Sequence, residues 1–271
     1  MTGRGPVTGR GPVSGHGELR AEAVTRVFGG TRGHTAVDAV DATFSVGVRT
    51  GVVGESGSGK STLARMLVGL DSPTAGAVTW RGREIRALLG TRAGRLDFRR
   101  EVQFIGQDVL SSFDPRHTLG RAVETSARRL LGLSTAEAAD AAARTCAGLG
   151  LAPHLAGRRA NQVSGGQRQR FAIARSLVVQ PRMLVCDEIV SALDVSVQGA
   201  ILNLLKDVGS GTGLVFVSHG LPATAFLCDE IAVMHRGTVV ERGPSADVVR
   251  AAEHPYTRGL LAAHPRRADA A

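Results

Sequence analysis

The sequence predicts an α/β fold, a mainly parallel sheet with helices over its faces, on three observations. Short apolar strand-like runs alternate with helix-like runs along most of the chain. One such strand enters a glycine-rich loop that passes straight into a helix. Another, Met183–Cys186, is apolar on both faces and stops at two acids, as a strand inside a parallel sheet does. With 271 residues, 43% of them apolar and 21% charged, the chain can bury a core without disulfides or metals. That composition excludes disorder over the whole length.

In chain order, residues 1–17 stand apart. Thr2–Val7 reads TGRGPV and Thr8–Val13 repeats it. A Gly/Pro-rich stretch with nothing to bury is expected to be a disordered tail; residues 265–271 are expected to form a short C-terminal tail. Strands are expected at Leu19–Phe28 and Ala36–Val48, and Thr50–Val53 leads into the loop at Gly54. Ser61–Leu70 carries Leu63, Met66, Leu67 and Leu70 at helical spacing. Strands follow at Ala77–Trp80 and Val102–Ile105. Residues 116–160 are rich in Ala, Leu and Arg without strand signals, and predict a helical insert. A helix from Gly166 to Val179, strand Met183–Cys186, helix Val195–Val208 and strands Leu214–Val217 and Ile231–Met234 complete the pattern.

No apolar run is long enough to span a bilayer, and the N-terminus has no apolar signal core, so a secreted protein is not expected. Cys146, Cys186 and Cys228 have neither even number nor CxxC spacing, which argues against a disulfide framework or cysteine metal cluster and for a reducing compartment. The formal charge is +9, from 33 basic and 24 acidic residues; only Lys60 and Lys206 are lysines. Many arginines fall in isolated pairs, and aromatics are only 4%, too few to stack bases, so no nucleic-acid partner is expected.

Gly54-Glu55-Ser56-Gly57-Ser58-Gly59-Lys60-Ser61 matches GxxxxGK[ST] between a strand and a helix. Glycines let backbone amides close on phosphate oxygens, Lys60 supplies a point charge, Ser61 offers a hydroxyl to Mg²⁺, and the helix start adds positive potential. The motif predicts a P-loop NTPase core. Asp187 and Glu188, at the carboxyl end of a sheet strand, are placed to hold Mg²⁺ and to polarise an attacking water; the bland alternative is a helix N-cap. Ser164-Gly165-Gly166-Gln167 opens an apolar-periodic helix (Phe171, Ala174, Leu177, Val178) and is a second candidate anion site.

The order of these elements over residues 19–264 resembles the ATP-binding subunits of ABC transporters. Ser164–Gln167 looks like the family signature, with Val163 where leucine is usual. Gln107 matches the glutamine loop, Ser191-Ala-Leu-Asp194 the D-loop, and His219 the switch histidine. Phe28 sits where the family stacks an aromatic on adenine. The resemblance implies one ABC ATPase domain over 18–264, with an N-terminal antiparallel β subdomain and a helical subdomain over about 108–165. It implies two ATPs held between two such domains. In that arrangement Gly54 through Ser61 and Thr62 bind the phosphates. Ser164–Gln167 and Asp194 complete the partner's site. Ser61, Gln107 and Asp187 attend Mg²⁺, and Glu188, His219 and Gln107 serve catalysis. Departures are Ile189 where proline is usual, Gly220 for aspartate and Val109 for proline.

His254-Pro-Tyr-Thr-Arg-Gly-Leu-Leu261 resembles the C-terminal segment (about 245–264) of ATPases from dipeptide, oligopeptide and nickel importers. That likeness implies a peripheral protein on the cytoplasmic membrane face. Its partners would be two transmembrane permease subunits, a sister ATPase and, indirectly, an extracytoplasmic solute-binding protein, with docking near Val109–Leu119. The alternatives are an exporter ATPase and a soluble ABC ATPase acting on nucleic acid or ribosomes. Such soluble relatives often fuse two cassettes or carry coiled-coil insertions, and neither feature is present here.

Overall fold

The computed structural model describes residues 17–29, 33–191, 193–208 and 211–263. Both expected terminal tails lie almost wholly outside them, as does Ala192 of the D-loop segment. In chain order the elements are β1 (Glu18–Phe28), β2 (His34–Ser45), β3 (Arg49–Val53), α1 (Lys60–Leu67), β4 (Ala75–Trp80), β5 (Arg83–Glu84), α2 (Ile85–Gly90), α3 (Arg92–Glu101) and β6 (Val102–Ile105). Then come α4 (Leu119–Leu131), α5 (Thr135–Gly148), α6 (Gly165–Leu177), β7 (Met183–Asp187), α7 (Val195–Lys206), β8 (Gly213–Ser218), α8 (Leu221–Leu227), β9 (Glu230–His235), β10 (Thr238–Pro244), α9 (Ser245–Arg250) and α10 (Pro255–Ala263).

Two sheets form. β2-β1-β4-β5 is antiparallel throughout, and β10-β9-β3-β8-β7-β6 is parallel except for its β10 edge. β7 and β8 are buried at every residue, which is why their sequences are apolar without alternation. Between the sheets lies a core of Leu19, Phe44, Leu63, Met66, Leu67, Trp80, Phe98 and Met183. The insert folds as expected: Thr118 caps α4, and Ser134 with Glu137 forms a capping box on α5. Leu119, Val123, Ala127, Ala138, Ala142 and Phe171 pack its interior.

Some boundaries differ from expectation for local reasons. α1 stops at Leu67, not Leu70, because Gly69 turns left-handed (φ +64°) and the amides of Gly69 and Leu70 close on the carbonyls of Met66 and Arg65 at 3.0 and 2.9 Å. That Schellman closure leaves Leu70 exposed. α2 and α3 were not foreseen, since they bury only Ile85 and Leu88, and Gly94 and Phe98, too few to show a helical period. Within the segment Val109–Leu119, both end residues are buried in the helical subdomain, while Leu110 is exposed. Phe113, Asp114 and His117 of that segment, with Arg121, Arg128 and Arg175, line a groove that encloses ≈ 750 Å³. Among the described residues, no helix is long and apolar enough to cross a membrane.

Candidate nucleotide site

Pairing levels the carboxyl ends of three strands: Val53 lies opposite Ser218 in β3/β8, and Asp187 opposite Val217 in β7/β8. Loops leaving these ends converge there, where open parallel sheets bind ligands. The Gly54–Gly59 loop springs from β3. Gly59 adopts φ +102°, and a Cβ on it would lie 2.2 Å from the Ala36 carbonyl oxygen; one on Gly54 would lie 2.2 Å from that of Met234. Only glycine fits at either place. The Gly237 amide donates to the Ser58 carbonyl at 3.0 Å, tying the loop to the turn after β9.

Lys60 opens α1 with its side chain almost wholly buried. Its Nζ donates to the Glu55 carbonyl at 2.7 Å and to Ser58 Oγ at 3.4 Å. Burial pushes its pKa down, against the upward pull of Glu188, Asp187 and Glu55. The ammonium thus closes a ring across its own loop and faces the acids opposite. Ser56 and Gly57 are exposed on the loop's outer rim, and Thr62 is half-buried one position past Ser61.

Ser61 Oγ donates to Asp187 Oδ1 at 2.8 Å, joining the first turn of α1 to the end of β7. Asp187 is buried, and burial raises its pKa; the Ser61 bond opposes this, Glu188 reinforces it, and Lys60 and Arg65 pull it back. The N-cap reading of this acid pair fails, because no helix starts until Val195. Glu188 takes a left-handed backbone (φ +49°), held by its amide on the Val217 carbonyl at 3.0 Å and by Ser191 Oγ on its own carbonyl at 2.9 Å. Such a conformation costs a non-glycine residue about 1–3 kcal/mol and collects at functional sites. Gln107 Nε2 donates to Glu188 Oε2 at 3.2 Å, linking the segment after β6 to the acid pair. His219 follows β8 directly and is exposed, so it is not a buried core histidine.

The remaining candidates lie on other parts of the chain. Ser164 caps α6: its Oγ accepts from the Gln167 amide at 3.3 Å, and Gln167 Oε1 accepts from the Ser164 amide at 3.0 Å. Ser164 and Gly165 are exposed. Gly166 brings α6 close to α7, since a Cβ there would lie 2.6 Å from Val197 Cγ1. Asp194, exposed, occupies the N-cap position of α7 without a side-chain capping bond. Gln198 Nε2 donates to the carbonyls of Val190 and Leu193 at 2.9 Å each and holds the turn before α7. Ile189 and Val190 are buried among apolar side chains, which accounts for apolar residues after Glu188. Phe28, at the end of β1, is 41% exposed, and the Arg26 guanidinium covers one face of its ring at 4.6 Å from the centroid.

Two residues were missed in the sequence reading. Arg26 gives no motif signal. Tyr256 belongs to the segment read as importer-type and given no part in the nucleotide site, yet its hydroxyl accepts the Glu55 amide at 2.9 Å.

Comparison with known proteins fits this geometry. The family model described as "ABC transporter" matches residues 37–191. The chain belongs to the ABC transporter family. It is 42% identical over 233 residues to the "Probable peptide ABC transporter ATP-binding protein y4tS" of Sinorhizobium fredii, covering 85% of this chain and 65% of that protein. It is 40% identical over 234 residues to the "Oligopeptide transport ATP-binding protein OppF" of Salmonella typhimurium, covering 85% and 69%. The chain therefore spans about two thirds of these relatives' length. Among solved structures, the dimeric bacterial ABC transporter cassette MJ0796 superposes with a TM-score of 0.75 at 27% identity, covering 84% of this chain and 98% of that one. The same cassette in a post-hydrolysis state bound to ADP and Pi gives 0.74 at 27% identity, with the same coverage. Within this ABC family the chain is an ATP-binding cassette with ATPase chemistry.

Proposed function

We propose that the chain is the ATP-hydrolysing subunit of an ABC importer for peptides, working from the cytoplasmic face of the membrane. The observation that carries the catalytic part is the joined pair of bonds, Ser61 to Asp187 and Gln107 to Glu188, at the carboxyl edge of the sheet. The names of the relatives, peptide and oligopeptide transport proteins, favour peptides over nickel.

The oxygen set is suited to Mg²⁺. Ser61 hydroxyl and Asp187 carboxylate adjoin, the Gln107 amide lies one bond from Glu188, and no cluster of three or more His, Cys, Asp or Glu that could form an all-protein cage exists among the described residues. Mg²⁺ is commonly held by one or two protein oxygens together with substrate phosphates. When bound, the ion would neutralise negative charge on the phosphates. The loop amides from Gly57 to Thr62 cradle the phosphates, and Lys60 exchanges the Glu55 carbonyl for a phosphate oxygen. Glu188 accepts the proton of the attacking water, His219 bonds the γ-phosphate, and Phe28 stacks on adenine with the ring face that Arg26 leaves free. Gln107 releases Glu188 as phosphate arrives and passes that change to the helical subdomain.

In this reading Ser164–Gln167 and Asp194 act on the nucleotide of a sister ATPase, and of the two permease subunits one docks in this chain's groove beside α4, where Arg121, Arg128 and Arg175 outnumber Asp114. A solute-binding protein selects the solute outside the membrane. The parts of the 18–264 domain follow the same proposal: helical subdomain over 108–165 and importer-type segment over 245–264. Glu188→Gln tests the catalytic core. It should retain ATP binding while hydrolysis falls by about 100-fold or more, because the water loses its base. Undiminished turnover would remove Glu188 from that role.

A further inference from the structure

The last helix of the described chain reaches the phosphate loop. α10 is anchored first by its entry turn: the Glu241 carboxylate on β10 accepts the amides of Glu253 and His254 at 2.9 and 3.1 Å, and His254 Nδ1 accepts the Tyr256 amide at 3.2 Å. Thr257 and Leu260 are buried, and Leu260 joins a cluster with Val53, Ile231 and Val233. Val53 is the residue directly before Gly54. The Tyr256 ring packs on His235 with centroids 3.9 Å apart and planes at 33°. His235 ends β9, whose Met234 carbonyl forms the floor under Gly54.

So placed, Tyr256 presents its hydroxyl to the exposed first residue after Gly54. Its oxygen accepts the Glu55 amide at 2.9 Å, while the Glu55 carbonyl accepts Lys60 Nζ at 2.7 Å and the Ser58 amide at 3.2 Å. The Glu55 residue is therefore held from both sides, by the C-terminal helix and by the lysine of its own loop. Once Lys60 swings to a phosphate, the Tyr256 bond is the tie from outside the loop that keeps Glu55 in register, alongside the loop's own Ser58 amide.

We infer that Tyr256 is a positioning residue of the nucleotide site, a latch by which the C-terminal segment holds the entrance of the phosphate loop in its binding conformation. A loop already in its bound shape loses less entropy on ligand binding, so the latch contributes to affinity without touching nucleotide. The segment is thus part of the nucleotide-binding apparatus and not only a cover for the sheet.

The test is Tyr256→Phe in the full chain, which keeps the ring on His235 and removes the acceptor. MgADP binding is measured by calorimetry, hydrogen exchange is followed in the peptide spanning residues 54–59, and the thermal midpoint is recorded. One neutral hydrogen bond corresponds to a change in MgADP Kd of about 3- to 10-fold. We expect Kd to rise by that factor and exchange at Glu55 to speed up, with the melting midpoint nearly unmoved. An unchanged or tighter Kd with wild-type exchange overturns the latch. A large fall in melting midpoint with unchanged exchange at Glu55 also overturns it, because the residue then only packs. Wild-type chain that fails to bind MgADP would overturn the nucleotide-site premise itself, a separate outcome.

Discussion

Asp187 shows how one residue trades stability for chemistry. Burial raises its folded pKa above the unfolded carboxylate value, so the folded chain holds this proton more tightly than the unfolded chain does. Its contribution to stability is therefore fully present below the unfolded pKa and is lost as pH rises through the folded one. At neutral pH without ligand, the ionised carboxylate is a net cost. Asp187→Asn removes the charge and still accepts from Ser61. The nucleotide-free variant should melt higher, by roughly 2–4 °C per kcal/mol regained, while Mg²⁺-dependent ATP affinity falls. Thermal scans at neutral pH with and without MgATP read both; a lower midpoint without ligand would contradict the burial argument. Of these side chains, Lys60, Ser61, Asp187 and Glu188 were legible because their motifs state strand, turn and acid in one line. Tyr256 was not. Its bond joins residues 201 positions apart, and no local pattern reports such a contact.

At the level of elements, the loop between β3 and α1 is set by backbone shape more than by side chains. Gly59→Ala would put a Cβ 2.2 Å from the Ala36 carbonyl oxygen in a conformation with φ +102°. The expected loss is about 2 kcal/mol or more, together with loss of nucleotide binding. A melt within a degree of wild type would show the loop to be more pliant than its contacts with β2 and β9 imply. The strands of the parallel sheet were predicted almost to the residue, β6 at Val102–Ile105 with the same bounds. Short apolar runs between polar flanks, interrupted in β6 only by Gln103, leave little room for error. Helices were less exact. α1 ended early because a glycine closure outweighed Leu70's place in the apolar period, and α2 and α3 hid behind sparse apolar spacing. β10, an edge strand reading TVVERGP, is only half covered and carries no strong signal.

For the whole molecule, the surface beside α4 carries the proposed coupling to the membrane. Arg121, Arg128, Arg129 and Arg175 give that groove a cationic lining against the single acid Asp114. Arg128→Glu combined with Arg129→Glu should reduce retention on permease-containing membranes, more at low salt than at high, and leave basal ATP hydrolysis within about two-fold. Equal membrane retention by both proteins would move the docking surface elsewhere. On that proposal, part of the chain's basic surplus serves membrane-protein docking rather than nucleic acid.

The central claim, that this cassette energises import, is tested most directly by isolating the tagged chain from native membranes and identifying by mass spectrometry what remains bound in stoichiometric amount. The account predicts two multi-spanning permeases and a second ABC ATPase. Ribosomal proteins or nucleic acid, with no membrane protein, would contradict it and place the chain among soluble ABC ATPases.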